Sequence, residues 1–190
     1  MPRTDTSVAA VAVLVALALC VPVQAQTLEI DALRTQAAQG DAAALYNIGL
    51  MYAIGRGVPQ DDAEAVRWYR LAADQGHVNA QANLGVMHDN GRGVPEDDAE
   101  AVRWYRLAAD QGDVSAQRNL VVMYGTGDGV PQDDVQAHMW FNLAASRMAS
   151  GHRQHAVDGR DRAAGQMNPT QIAEAQRFAG EWDAAHPREP

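Results

Sequence analysis

Few residues of this chain have types and spacings that could do chemistry. Adjacent carboxylates recur at Asp61/Asp62, Asp97/Asp98 and Asp133/Asp134, and His152 and His155 stand three apart with Asp158 a turn further on. A Gly-x-Gly recurs at 55–57, 91–93 and 127–129. Paired carboxylates suggest acid–base catalysis or calcium, the histidines zinc, and Gly-x-Gly a phosphate cradle. Each reading meets an obstacle. Adjacent residues at a helix start point apart, and they lie where the helix dipole favours anions. From Asp89 to Glu100 an EF-hand register fails, because Gly93 and Val94 replace the needed ligand and glycine. No strand pattern precedes the Gly-x-Gly sites and no Lys-Ser/Thr follows them, so they read as turns. The histidine trio reads as solvated helix surface, so no metal and no cofactor is expected.

What is missing narrows the chemistry further. The chain has no lysine, which removes a phosphate-loop lysine, a Schiff-base amine and a lysine general base together. Beyond residue 25 the serines are Ser115, Ser146 and Ser150, none in a Gly-x-Ser-x-Gly turn, and the one cysteine is Cys20. Covalent hydrolysis is not expected. The net charge of -9 argues against nucleic acid and anionic membrane surfaces, which require a basic patch.

Residues 1–25 read as a signal peptide. Arg3 precedes an apolar run from Val8 to Val21, and Pro22-Val23-Gln24-Ala25 suits cleavage after Ala25. The run falls short of the roughly 20 apolar residues that span a bilayer, so no stable membrane insertion is expected after cleavage. The expectation is therefore export to the periplasm or outside the cell, with no disulfide. Lipidation at Cys20 is the alternative, because Leu17-Ala18-Leu19-Cys20 is similar to a lipobox apart from Leu19.

The elements that must position the remaining residues follow from self-comparison. An offset of 36 aligns Trp68 with Trp104 and Trp140, Pro59 with Pro95 and Pro131, and Gly40 with Gly76 and Gly112. DDAEAVRWYRLAADQG at 61–76 recurs letter for letter at 97–112, and the third copy reads DDVQAHMWFNLAASRM. Each copy predicts two helices. Helix A carries Ala44, Ile48, Met51 and Tyr52 on one face, and helix B carries Ala65, Trp68, Tyr69 and Ala72. The Tyr and Trp rows are expected in the core, each ring worth about 2 to 3 kcal/mol, with Trp68→Ala costing roughly 3 to 5 kcal/mol. The two glycines and the proline between the helices end helix A. Asp61-x-x-Glu64, Asp97-x-x-Glu100 and Asp133-x-x-Gln136 predict reciprocal capping boxes opening helix B.

The expected organisation is an all-α chain: signal peptide 1–25, an N-terminal capping helix in 26–40, repeats at 41–76, 77–112 and 113–148, and a divergent capping helix pair in 149–190. The final helix is expected to start at Asn168-Pro169-Thr170, with Ile172, Gln176, Ala179 and Trp182 or Asp183 along one face.

The recurring A-x-x-N-[IL]-G-x-M-[YH]-x-x-G-x-G-V-P-x-D-D-A-x-A-V-x-W-Y-R-x-A-A-x-Q-G resembles the Sel-1-like repeat, a relative of the tetratricopeptide repeat. The resemblance covers about residues 41–148, and the segment from Thr170 to Trp182 is similar to the closing helix of bacterial members. It implies a right-handed superhelical solenoid of antiparallel helix pairs with the A helices lining a concave surface. It also implies a role as adaptor, scaffold or regulator in protein complexes. One departure stands out: Val121 replaces Gly49 and Gly85 and should push the third helix A away from its neighbour or alter its packing.

Repeat identity reports scaffold, so binding should sit where helices A differ between copies and face away from the core. Those positions are Tyr46, Ala82 and Arg118, with Leu50, Val86 and Val122 one turn on. Asn47, Asn83 and Asn119 recur beside them, either as an amide ladder for a peptide backbone or as satisfied inter-helix hydrogen bonds. Arg118 interrupts an apolar series and is the best single candidate to meet a charged partner. The function expected is an exported, non-enzymatic adaptor or regulator that binds a protein or peptide on its concave face. Competing readings are a hydrolase of cell-wall or polysaccharide material using carboxylates across that face, and a structural part of an envelope assembly.

Overall fold

A computed structural model describes residues 29–147 and 150–187. The expected signal peptide with Cys20, and the side chains of His152 and His155, lie outside the described residues. Residues 29–38 form α1. It is followed by α2 (Ala42–Ile54), α3 (Asp62–Ala73), α4 (Val78–Asp89), α5 (Asp98–Asp110), α6 (Val114–Thr126), α7 (Asp134–Arg147), α8 (Ser150–Ala164) and α9 (Pro169–Ala185). Helices A are α2, α4 and α6, and helices B are α3, α5 and α7. Each A packs on its own B, and each B packs on the next A, which makes a one-dimensional stack.

The stack holds together through contacts that recur every 36 residues. The first turn glycine ends helix A in the left-handed region, at φ 70° for Gly55 and 86° for Gly127, where its N–H returns to Met51 and Met123. The side chains of Asp61, Asp97 and Asp133 cap the B helices. The reciprocal half of these boxes does not form. The backbone N–H groups of Asp61, Asp97 and Asp133 already donate to the carbonyls of Tyr52, His88 and Tyr124, each at 3.0 Å, tying the end of A to the start of B. Glu64 and Glu100 are thereby released to pair with Arg67 and Arg103, at 2.9 and 2.7 Å. Buried Gln81 and Gln117 donate to the Ala73 and Ala109 carbonyls, satisfying the C-terminal end of the preceding B helix.

Arginines form a second recurring link. Arg34, Arg70 and Arg106 on successive B-register helices donate to the ring at one register of the next A helix. They meet the Tyr52 hydroxyl at 3.4 Å, His88 Nε2 at 3.3 Å and the Tyr124 hydroxyl at 3.0 Å. Arg34 in this series places α1 at the register of a helix B. Arg56 and Arg92, in the A–B turns, pair with Glu29 and Asp62 of the preceding B-register helix at 3.1 and 2.8 Å. The third turn carries Asp128, which accepts from the Thr126 hydroxyl, so this clamp is absent between repeats two and three.

Three expectations need correction. Trp104 and Trp140 are buried, but Trp68 is only half-buried, because it heads the row and has only α1 before it. The large truncation cost expected for Trp68 therefore belongs to Trp104, whose ring also meets the guanidinium groups of Arg70 and Arg103. On α9 the buried face runs through Ala175 and Ala179 to Trp182, while Gln176 is exposed. The closing helices also do not form a pair with each other, since α8 and α9 both pack on α7 and Trp182 meets Trp140 edge-on at 6.1 Å. Helix α8 nevertheless packs on α7 as each helix A packs on the helix B before it, so α8 occupies a fourth A position. A complete capping box opens α9, formed by Asn168 and Gln171.

The A–B contact turns on one ring. A Cβ added at Gly49 would lie 2.7 Å from the Tyr69 ring, and one at Gly85 would overlap the Tyr105 ring. Gly125, in α6, has nothing within 4 Å. Gly85→Ala should therefore lower the unfolding free energy by about 1 to 3 kcal/mol through overpacking. Gly125→Ala should raise it by up to about 1 kcal/mol through helix propensity. Denaturant titration checks both, and the reverse order would contradict this packing.

Two buried histidines set a pH dependence. With His88 Nε2 accepting from Arg70, the neutral ring carries its proton on Nδ1, which is buried without a partner. Burial and the Arg70 charge lower its pKa against the pull of Glu100. Burial and Arg160 lower that of His138. Both folded values lie below the unfolded value of about 6.5. Stability is thus full above that pH and is lost as pH falls from there toward the folded values. The melting temperature should drop between about pH 7 and pH 5, and His138→Gln should reduce the drop. A flat profile across that interval would contradict the assignment.

Candidate functional site

The paired carboxylates separate in space and in role. Asp61 caps α3 while Asp62 pairs with Arg92 of the following turn. Asp97 caps α5, whereas Asp98 lies under the backbone of the next turn, where Gly129 has no room for a Cβ. Asp133 caps α7 and Asp134 lines a groove between α6 and α8. Among the described residues no three His, Cys, Asp or Glu side chains gather to hold a metal, and no helix is long and apolar enough to cross a membrane.

The A-helix positions singled out in the sequence fall into two kinds. Asn83 faces the Tyr69 hydroxyl, and Asn119 faces that of Tyr105. Burial pushes Tyr69 up to about 12 and raises Tyr105 as well, the latter helped by the Asp89 carboxylate that its hydroxyl meets at 3.2 Å. Both asparagines thus lie beside a buried phenol of the preceding helix B. Tyr46 is half-buried, stacked on His77 at 4.6 Å and tilted against Tyr69 at 5.7 Å, and Ala82 packs on the core. Of the remaining positions all but Leu50, which is half-buried against the core, are exposed. Asn47 and Leu50 border a small cavity of about 180 Å³ with Ile54 and Leu33, between α1 and α2. Val86, Arg118 and Val122 are exposed, Val122 by 55%. Val86 and Val122 are the exposed members of an apolar row along the A face, and half-buried Leu50 stands at the same register.

The row leads into a larger groove of about 390 Å³ between α6 and α8, floored by α7. Its walls include Val122, Gly125, Phe141, Gly159 and Arg162. In repeats one and two the corresponding space is filled, because Tyr69 and Tyr105 lie across Gly49 and Gly85 and reach the next A helix. In repeat three Val121 supplies the side chain that such a ring cannot tolerate. Phe141, at the tyrosine register, lies instead against Gly159 of α8. Asp89, which holds the Tyr105 hydroxyl, has Gly125 as its counterpart, and Phe141 has no hydroxyl to hold. Sequence reasoning caught Val121 and Val122 but missed Gly125, Phe141, Gly159 and Arg162. A signal was present for Phe141, which breaks the series Tyr69–Tyr105 at the fixed offset, whereas Gly125 stands at a register that already changes from Ala53 to Asp89. Gly159 and Arg162 lie where the letters no longer repeat.

Comparison with known proteins agrees with this architecture. The family model described as Sel1 repeat matches residues 42–77, 78–113 and 114–147. Among solved structures, a protective antigen present in uropathogenic Escherichia coli strains displaying an SLR fold is 35% identical with a TM-score of 0.62, over 75% of this chain and 34% of that one. This chain thus spans about a third of that protein. A Sel1 repeat protein from Oxalobacter formigenes is 37% identical with a TM-score of 0.62, over 68% of this chain and 98% of that one. No curated protein matches significantly. The chain is an all-α, right-handed solenoid of antiparallel helix pairs. Three consecutive repeat matches and this likeness to solved solenoids establish that the chain belongs to the Sel1 repeat family.

Proposed function

We propose that the protein is an exported, non-enzymatic adaptor that holds a protein or peptide partner on its A-helix face. Sel1 repeats generally mediate protein–protein interaction. The observation that carries the reading for this chain is the division of labour between its two faces. At the B-helix starts Asp61, Asp97 and Asp133 are consumed in caps and Asp62, Glu64 and Glu100 in ion pairs between and within repeats, whereas the A face keeps Val86 and Val122 beside the exposed Arg118, with half-buried Leu50 at the same register. A row of apolar side chains beside a cation suits an extended segment, because binding surfaces concentrate their energy in a few apolar and arginine contacts. Export rests on the apolar leader ending at Ala25.

The test is capture of exported partners by residues 26–190, comparing Val86→Glu and Arg118→Glu on the A face with Leu71→Glu, an exposed leucine on helix B. The expected result is one partner retained by the helix B variant and weakened by about tenfold or more in each A-face variant. A partner lost equally by the Leu71 variant, or kept by all three, would overturn the A-face assignment.

A further inference from the structure

We propose that the groove between α6 and α8 is the subsite that sets partner choice. It takes one large apolar side chain of an extended peptide whose neighbouring acidic residues pair with Arg162 and Arg118. This rests on the A-face reading above and narrows it to one place and one chemistry.

Three observations converge on the groove. First, it is built by departures from the repeat that act together. Val121 excludes the ring from α6, Phe141 relocates onto Gly159, and Gly125 removes the side chain that stands at this register as Ala53 and Asp89. No packing need of α6 accounts for Gly125, since a Cβ there meets open space. Second, its volume of about 390 Å³ falls in the range of roughly 300 to 1,000 Å³ typical of ligand sites, and the Phe141 ring and Val122 give it an apolar wall.

Third, the charges favour an acidic visitor. Arg162 lines the groove, and Arg118 stands one helical turn from Val122 on the same face. Both are exposed, and neither has a carboxylate partner among the described residues. The acidic residues of the A-register helices are engaged: Asp89 by Tyr105, Asp158 by Gln154 and Asp161 by Arg160. Helices α2 and α6 carry no acidic residue at all. Asp134 is the one acidic residue among those lining the groove, and it sits in the first turn of α7, where the helix dipole offsets part of its charge. The net charge of -9 repels acidic segments from the chain as a whole, so two arginines with no carboxylate partner among the described residues make the surface beside this apolar groove the place that favours an acidic segment over a basic one.

The test is fluorescence anisotropy with labelled Gly-Ser peptides that carry a central Phe flanked by Asp, a Phe flanked by Lys, or an Ala flanked by Asp. Binding is measured on residues 26–190 and on Gly125→Leu, Arg162→Glu and Val86→Glu, each checked by thermal melting. The Phe-Asp peptide should bind about tenfold or more tightly than either control, and Gly125→Leu should remove that advantage by filling the groove. Arg162→Glu, an exposed change that leaves the core untouched, should shift preference toward the Lys peptide. Equal binding of Phe-Asp and Phe-Lys peptides, no binding of any peptide, or full binding to both Gly125→Leu and Arg162→Glu would each overturn the proposal. Loss in Val86→Glu alone would leave the A-face reading standing while the groove assignment fell. A dimer dissolved by Gly125→Leu would put a second copy in the groove instead, and would also overturn it.

Discussion

In repeats one and two helix A can approach helix B because a tyrosine ring lies where a Cβ would otherwise project. At Gly49 and Gly85 the absent side chain lets the rings of Tyr69 and Tyr105 cross the helix and reach the asparagine of the next A helix. One ring thus joins three helices, and its buried hydroxyl is answered by Asn83 or Asn119. The other recurring links depend on the spacing this contact fixes. An arginine of helix B finds the ring at 52, 88 or 124 only if consecutive A and B helices keep their distance. The same holds for the buried glutamines that satisfy the ends of the preceding B helices.

Repeat three breaks this constraint and changes what surrounds it. Val121 forbids the ring position, Phe141 turns to Gly159, and the arginine clamp of the earlier turns gives way to Asp128. Packing is not lost, since Val121 itself is buried and α7 takes both closing helices against it. What changes is the A face, where filled space becomes a groove. A stack of repeats can change at one register without unfolding because each unit contacts only its neighbours. The solenoid therefore carries its variation where the repeats are least alike, while the identical B-helix letters keep the frame.

Much of this was legible in the sequence. The period of 36, the helix pairs, the turns and the acidic caps follow from apolar spacing and from glycine and proline, which act locally. The reciprocal capping boxes were not correctly legible, because the competing acceptors are carbonyls of Tyr52, His88 and Tyr124, brought near only by the A–B turn. Trp68 carries the same letter as Trp104, and no letter says that it stands first in the row. Gln176 was chosen for spacing, yet α9 leans on α7 through Ala175 and Ala179, a tertiary choice between equally helical faces. Of the binding positions named in advance, Asn83 and Asn119 are absorbed by tyrosine hydroxyls on the preceding helix, a contact 14 residues away that a search within helices A does not meet. Val122 leads into a groove whose other wall, α8, packs on α7 as a further A helix after the letters of the repeat have diverged.

The central claim is that the ring at the tyrosine register crosses helix A in repeats one and two and abandons it in repeat three. Nuclear Overhauser contacts from the ring protons of Tyr69, Tyr105 and Phe141 measure this directly. The account predicts that Tyr69 and Tyr105 contact the α protons of Gly49 and Gly85, while Phe141 contacts those of Gly159 in α8. A Phe141 ring whose contacts run across α6 to Gly125, with none to Gly159, would contradict it.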